Sequence, residues 1–308
     1  MWSILTLALT VAISVPNSPA PKATAPHAVV LGIAQDGGVP HASCRQPLCE
    51  AARRDPRLRV RVACFGLIDP ASGKRFLIDA TPDFAEQMAT LGGLPDGILL
   101  THAHIGHYLG LAQLGREVLD ARRVPVYATP RMARFLRENG PWKRFVAMGN
   151  VDIREIEPGA PVMLTPALTA TAIRVPHRDE DSDTVAWVVR GPGRSVLWLP
   201  DIDKWETWDH RLPEMLAADP TLTAFVDGTF FSADEIPGRS LAEIPHPLVP
   251  ETMALFPADA PGARRVVFVH LNHTNRLLWD ADALRSVEAR GFSVARDGQI
   301  VPLGEGGE

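Results

Sequence analysis

Gly97-Ile-Leu-Leu-Thr-His-Ala-His-Ile-Gly-His-Tyr108 reads as an apolar strand that ends in three histidines, His102, His104 and His107, spaced i, i+2 and i+5. Side chains alternate along a strand, so His102 and His104 leave its end toward one side while the loop brings His107 round beside them. Three imidazoles after a wholly apolar run are expensive to bury without a ligand. A solvated turn with coincidental histidines is the alternative, but the chain has only 10 His in 308 residues.

The same pattern recurs downstream. His177 follows Ala170–Pro176, Asp201 follows Ser195–Pro200 and His270 follows Arg264–Val269, each the first polar group after a run fit for a buried strand. Singly, each is as well explained as a cap or turn residue. Together with the histidine triplet they make the nitrogen-rich, carboxylate-containing set that zinc or iron prefers.

Twelve short β-branched runs, the first beginning at His27 and the last ending at Arg296, imply two sheets. Helical patterns fall at Asp83–Leu91, Tyr108–Asp120, Pro130–Glu138, Leu212–Ala218, Pro250–Phe256 and Asp280–Arg290, the last with Asp280 as N-cap and Gly291 beyond its end. The chain is therefore expected to be α/β, a sandwich of two sheets with helices on the outer faces. A single domain is expected over 26–304, with 305–308 as a tail; Pro158–Pro166 reads as a connection inside it.

With 31 Lys plus Arg against 36 Asp plus Glu, a net charge of −5 and 46% hydrophobic residues, the composition is that of a globular protein without a basic nucleic-acid footprint. A small-molecule substrate, anionic ones included, remains compatible. The apolar run Ile4–Val15 is too short to span a bilayer. It reads as the core of a cleaved signal peptide within residues 1–25, which predicts a periplasmic or secreted protein; a mis-assigned start would make it cytoplasmic. Three cysteines are too few for a disulfide scaffold. Cys64 fits a buried strand. Cys44 and Cys49 lie in a loop after a Gly-Gly turn with His41 nearby, where a metal knuckle or a disulfide is open.

These motifs resemble the metallo-β-lactamase-fold hydrolases, whose pattern is a strand-end Asp, H-x-H-x-D-H, a distant His, an Asp and a final His. Asp79, His102, His104, His107, His177, Asp201 and His270 stand at those positions. The resemblance implies an αββα sandwich of two mixed sheets with a metal centre at one edge, Asp201 bridging and holding the water, and Asp79 orienting a ligand histidine. Within the family, Leu31–Cys49 and Val267–Asn275 look most like the pyrroloquinoline-quinone biosynthesis B branch and the phosphonate-pathway cyclic phosphodiesterase branch. Those branches carry C-x-C-x-x-C after the Gly-Gly turn. Here its middle cysteine is Gln46, while His273 matches a further zinc ligand of the phosphodiesterase branch. The resemblance thus implies a structural zinc on Cys44, Cys49 and His273, with His41 as the fourth ligand; a disulfide is the alternative.

One departure stands out. Gly106 occupies the place of the family's Asp in H-x-H-x-D-H. That leaves His107, Asp201 and His270 for a second metal, whereas His102, His104 and His177 with Asp201 make a complete first site. The expected cofactor is zinc, one or two ions at the catalytic site, with iron or manganese as alternatives. The expected function is metal-dependent hydrolysis of an ester-like bond, phosphodiester or cyclic phosphate favoured. Iron-dependent oxidation of a quinone-cofactor precursor, or a non-catalytic metal-binding role, are the alternatives.

Overall fold

The computed structural model describes residues 24–235, 245–257 and 260–305, so most of the N-terminal segment read as a signal peptide lies outside the described residues. The strands are β1 (His27–Gly32), β2 (Cys64–Asp69), β3 (Lys74–Ile78), β4 (Gly97–Leu99), β5 (Val124–Ala128), β6 (Val151–Glu155), β7 (Pro161–Met163), β8 (Thr169–Val175), β9 (Thr184–Arg190), β10 (Ser195–Leu199), β11 (Leu222–Asp227), β12 (Val266–Val269), β13 (Ser293–Val294) and β14 (Ile300–Pro302). They form two sheets of seven, β14-β1-β2-β3-β4-β5-β6 and β13-β12-β11-β10-β9-β8-β7. The helices are α1 (Pro47–Arg54), α2 (Phe84–Leu91), α3 (Ile105–Tyr108), α4 (Pro130–Glu138), α5 (Trp142–Ala147), α6 (Leu212–Ala218), α7 (Val249–Ala254) and α8 (Ala281–Glu288).

The two-residue period of the strands explains the layering. Ala28, Val30, Phe76 and Ile78 point into the core shared with the second sheet, where Trp187, Trp198 and Phe225 are fully buried. Val29, Leu31 and Leu77, their neighbours in sequence, face outward into a separate core with residues of α2, α4 and α5. Phe65 bridges the sheets, stacked on Trp198 with ring centroids 4.8 Å apart and tilted on Phe225 at 5.0 Å. Trp187 Nε1 donates to the Leu100 carbonyl at 3.1 Å, which ties the second sheet to the segment leading into His102.

Within each sheet one run of strands is parallel, β3 to β6 and β10 to β13. The carboxyl ends of parallel strands lie on one edge, where open α/β sheets bind their ligands. Asp79, Thr101, Asp201 and His270 follow such strand ends, and Asp227 is the last residue of β11.

All twelve anticipated strands form. β7 and β14 are additional, short strands at sheet edges with a proline each, which weakens their signal in the sequence. Helices α1 and α5 are also additional. The expected helix over Tyr108–Asp120 is corrected: α3 ends at Tyr108 and a 3₁₀ turn runs over Leu109–Leu114. Gly110 explains the change, because the chain presses there against the turn after β3; a Cβ would lie 2.3 Å from the Thr81 carbonyl oxygen.

Because Trp187 is fully buried with its N–H satisfied, Trp187→Phe should lower stability by about 1–3 kcal/mol through the unpaired Leu100 carbonyl and the lost volume. Urea denaturation of the two proteins measures this, and coincident midpoints would mean that the tie contributes nothing.

Candidate metal centre

Two clusters of ligand atoms meet at the strand-end edge. In the first, His102 Nε2 lies 2.8 Å from His104 Nδ1, which lies 3.3 Å from His177 Nε2. Nitrogens bound tetrahedrally at zinc distances stand about 3.3 Å apart. In the second, His107 Nε2 lies 3.5 Å from Asp36 Oδ1 and 3.1 Å from Asp201 Oδ2, and His270 Nε2 lies 3.4 Å from the same Asp201 oxygen. Asp201 spans the two clusters, since its other oxygen, Oδ1, is 3.7 Å from His177 Nε2.

The outward nitrogen of each histidine meets an acceptor, which fixes which nitrogen is left with a lone pair. His107 Nδ1 donates to Asp79 Oδ2 at 2.9 Å and His177 Nδ1 to Asp203 Oδ1 at 3.1 Å. His102 Nδ1 donates at 3.0 Å to the Thr101 hydroxyl, which in turn donates to Asp79 Oδ1 at 2.9 Å. The second sheet repeats that relay: His270 Nδ1 donates at 3.0 Å to Thr229 Oγ1, and Thr229 donates at 2.6 Å to Asp227 Oδ1. His104 is turned the other way, its Nε2 3.2 Å from Glu180 Oε2, which leaves Nδ1 facing inward. Such outer partners set the tautomer and orientation of metal-ligating imidazoles.

Lone pairs therefore face lone pairs. His107 Nε2, His270 Nε2, Asp201 Oδ2 and Asp36 Oδ1 are all buried without a hydrogen-bond partner. With neutral imidazoles in these tautomers the four acceptors have no donor among them, and a cation bound there satisfies them; the donor set of imidazole and carboxylate suits zinc, iron or manganese. The charges agree. Burial holds His102 well below the usual imidazole range, and the adjacent His107 adds to this, so His102 is a neutral ligand. Burial also opposes protonation of His107, but the carboxylates of Asp79 and Asp201 outweigh it and draw positive charge to that point. Asp201 keeps its charge despite burial because His270 and His107 surround it.

Four residues of the centre escape a reading based on the histidine pattern. Asp36 follows β1 in the Asp-Gly-Gly turn, with Gln35 before it as the first polar residue, and Asp227 ends β11; neither stands out from a turn or cap residue. Asp203 is two residues beyond Asp201 and carries no separate signal. His246 is buried beside the centre, with Nδ1 2.6 Å from Asp227 Oδ2 and a ring nitrogen within 4.8 Å of ligand atoms of both His177 and Asp201. Burial lowers its affinity for a proton, but the Asp227 carboxylate prevails and pushes it up to about 9.

Polar and aromatic side chains beside the centre belong to the framework. Asp183 accepts from the Thr129 hydroxyl and from Arg174 Nη1 and is buried, fixing the start of α4. Trp205 and Trp208 pack in the core with their N–H groups donating to Thr252 Oγ1 at 2.9 Å and to the Arg174 carbonyl at 2.8 Å. At the implied structural zinc, His41 and His273 stack with centroids 4.1 Å apart, the Cys49 thiol accepts the His41 backbone N–H at 3.3 Å and Cys44 accepts that of Gln46 at 3.4 Å. Cys44 and Cys49 are free thiols. Among the described residues, no three of these four bring ligand atoms within 4.8 Å of one another.

Several known proteins are similar to this chain in sequence and fold. The model of the Beta-lactamase superfamily domain matches residues 74–271. Coenzyme PQQ synthesis protein B of Methylobacterium nodulans is 28% identical over 310 residues, covering 90% of this chain and 99% of its own. The crystal structure of Zn(2+)-bound PqqB from Methylobacterium extorquens superposes with a TM-score of 0.75 at 25% identity, covering 90% of this chain and 100% of that one. A diphosphatase from the PhnP family shares the fold, with a TM-score of 0.63 at 22% identity over 90% of this chain and 96% of its own. The matched span runs from the start of β3 to just past β12 and contains every residue of both clusters except Asp36, so the chain belongs to the beta-lactamase superfamily.

Proposed function

We propose that the protein is a metal-dependent hydrolase of a small ester-like substrate, with a phosphodiester or cyclic phosphate favoured. The observation that carries this reading is Asp201, whose two carboxylate oxygens face different clusters of inward-pointing ligand atoms. His102, His104 and His177 on one side and His107, His270 and the carboxylates on the other would hold zinc, which would supply Lewis acidity and a lowered pKa for water.

The chain's own groups divide the remaining work. Asp201, between the clusters, orients the attacking water and takes its proton. His246, charged against Asp227, lies near enough to Asp201 and His177 to donate a proton to the departing oxygen. Asp79 holds His107 directly and His102 through Thr101, so it positions ligands and takes no part in proton transfer. At the rim, Arg178 lies 3.3 Å from His104 Nε2 with half its side chain exposed, a cation suited to an anionic substrate.

A second reading, oxidative chemistry on a quinone-cofactor precursor with iron, is favoured by the near full-length likeness to coenzyme PQQ synthesis protein B. Export from the cytoplasm, which the N-terminal sequence leads us to propose, would argue against that role. Metal preference separates the two. The full chain loaded with zinc should release nitrophenol from a bis(nitrophenyl) phosphate diester, and Asp201→Asn should lower kcat/KM by about 10²–10⁴-fold. Absence of turnover in the zinc-loaded protein, with dioxygen consumption by the iron-loaded one, would replace hydrolysis by oxidation.

Arg178→Ala should raise KM for an anionic diester by about 3- to 10-fold with kcat unchanged, a modest effect because the side chain is half exposed. Arg178→Lys should recover most of it. Equal KM values for the three proteins in steady-state assays at low salt would remove Arg178 from substrate binding.

A further inference from the structure

We infer that Asp36 and Gly106 are an exchanged pair: the carboxylate that the H-x-H-x-D-H pattern supplies from within the motif comes here from the turn after β1, and glycine at position 106 is what lets it in. The inference rests on the metal-dependent reading above. It reverses the expectation that Gly106 leaves the second metal site short of a ligand.

The first observation is steric. A Cβ built on Gly106 would lie 2.0 Å from Asp36 Oδ1, 2.9 Å from its Cγ and 2.8 Å from its Cα. The last contact is with backbone, so rotation of the Asp36 side chain does not relieve it. A side chain at position 106 and the present path of residue 36 exclude one another.

The second is chemical. Asp36 Oδ1 is buried and unpartnered, and it converges with His107 Nε2, 3.5 Å away, and with His270 Nε2. His107 and His270 are themselves no more than 1% exposed, with these nitrogens equally unpartnered. Asp36 thus joins His107 and His270 as a three-donor set, and Asp201, whose Oδ2 faces both histidines, is the carboxylate beside it.

The third is how Asp36 is held. Ala34 bridges to both Val62 and Leu271, the Gln35 N–H donates to the Leu271 carbonyl at 2.9 Å, and the Gln35 side chain accepts from Asn272 Nδ2. Gly38 N–H closes the turn on the Gln35 carbonyl at 2.8 Å. The segment that carries His270 therefore also clamps the residues just before Asp36, so the two ligands are held on one framework.

The test counts metal. Cobalt(II) binding to the full chain is followed by native mass spectrometry and by its visible spectrum, in which thiolate ligation at the cysteines is recognised by its charge-transfer band. Wild type should take two cobalt ions at nitrogen and oxygen ligands. Asp36→Ala should bind the second at least about 100-fold more weakly, beyond the usual cost of losing an outer partner of a ligand, with the first unchanged. Gly106→Ala should also lose the second ion, because its side chain collides with Asp36 and with the backbone that carries it. A second ion retained by Asp36→Ala or by Gly106→Ala would overturn the exchange. A wild type that binds one ion lost with His102→Ala would overturn it too, yet leave a single-metal hydrolase standing. A wild type with no ion at nitrogen and oxygen ligands would remove both readings.

Discussion

Asp79 is the residue on which the centre depends. Its buried carboxylate accepts the Thr101 N–H, the Thr101 hydroxyl and His107 Nδ1, each at 2.9 Å, and so fixes a ligand of each metal cluster at once. To do this at the end of β3 it takes a left-handed backbone, φ 69°, at a cost of about 1–3 kcal/mol. The second sheet makes the same compromise. Asp227 accepts from the Thr229 N–H and hydroxyl and from His246, and His270 is left-handed at φ 64°. Each sheet therefore contributes an Asp–Thr–His relay, and the two relays aim imidazole lone pairs at each other across the sandwich edge. The core that holds the sheets together, Phe65 between Trp198 and Phe225, is what keeps the relays in register.

An edge built this way is unstable to electrostatics alone. Two unprotonated nitrogens 2.8 Å apart in His102 and His104, and four unpartnered acceptors in the second cluster, repel in a low-dielectric site. Binding a cation removes the repulsion and is thereby coupled to the stability of the folded state. Burial alone would raise the Asp201 carboxyl, but the His270 and His107 rings beside it outweigh that and hold it well below the usual carboxylate range.

Much of this was legible in the sequence, for identifiable reasons. The strands announce themselves because β-branched runs of a two-residue period fill both faces of the sheets, and His102, His177, Asp201 and His270 each stand where such a run ends, with His104 and His107 close behind His102. Elements with weaker local signals were lost: β7 and β14 are edge strands broken by proline, and α3 passes into a 3₁₀ turn because Gly110 is pressed onto the turn after β3. The outer partners Asp203, Asp227 and Glu180 were not distinguishable from caps and solvated turns, because what marks them is a contact with a histidine distant in the chain.

Asp36 belongs to a different category. Its sequence neighbourhood, an Asp before Gly-Gly after an apolar strand, is that of any turn, and it lies outside the span shared with the superfamily model. Read along the chain, Gly106 is a missing ligand; read in space, it is the opening through which a ligand from 70 residues earlier arrives. A metal responds to the charge, distance and direction of an oxygen, not to the position of its residue in a motif. A pattern match therefore registers a loss where the three-dimensional donor set is conserved in kind, and the side chain whose absence matters at position 106 is one for which the fold leaves no room.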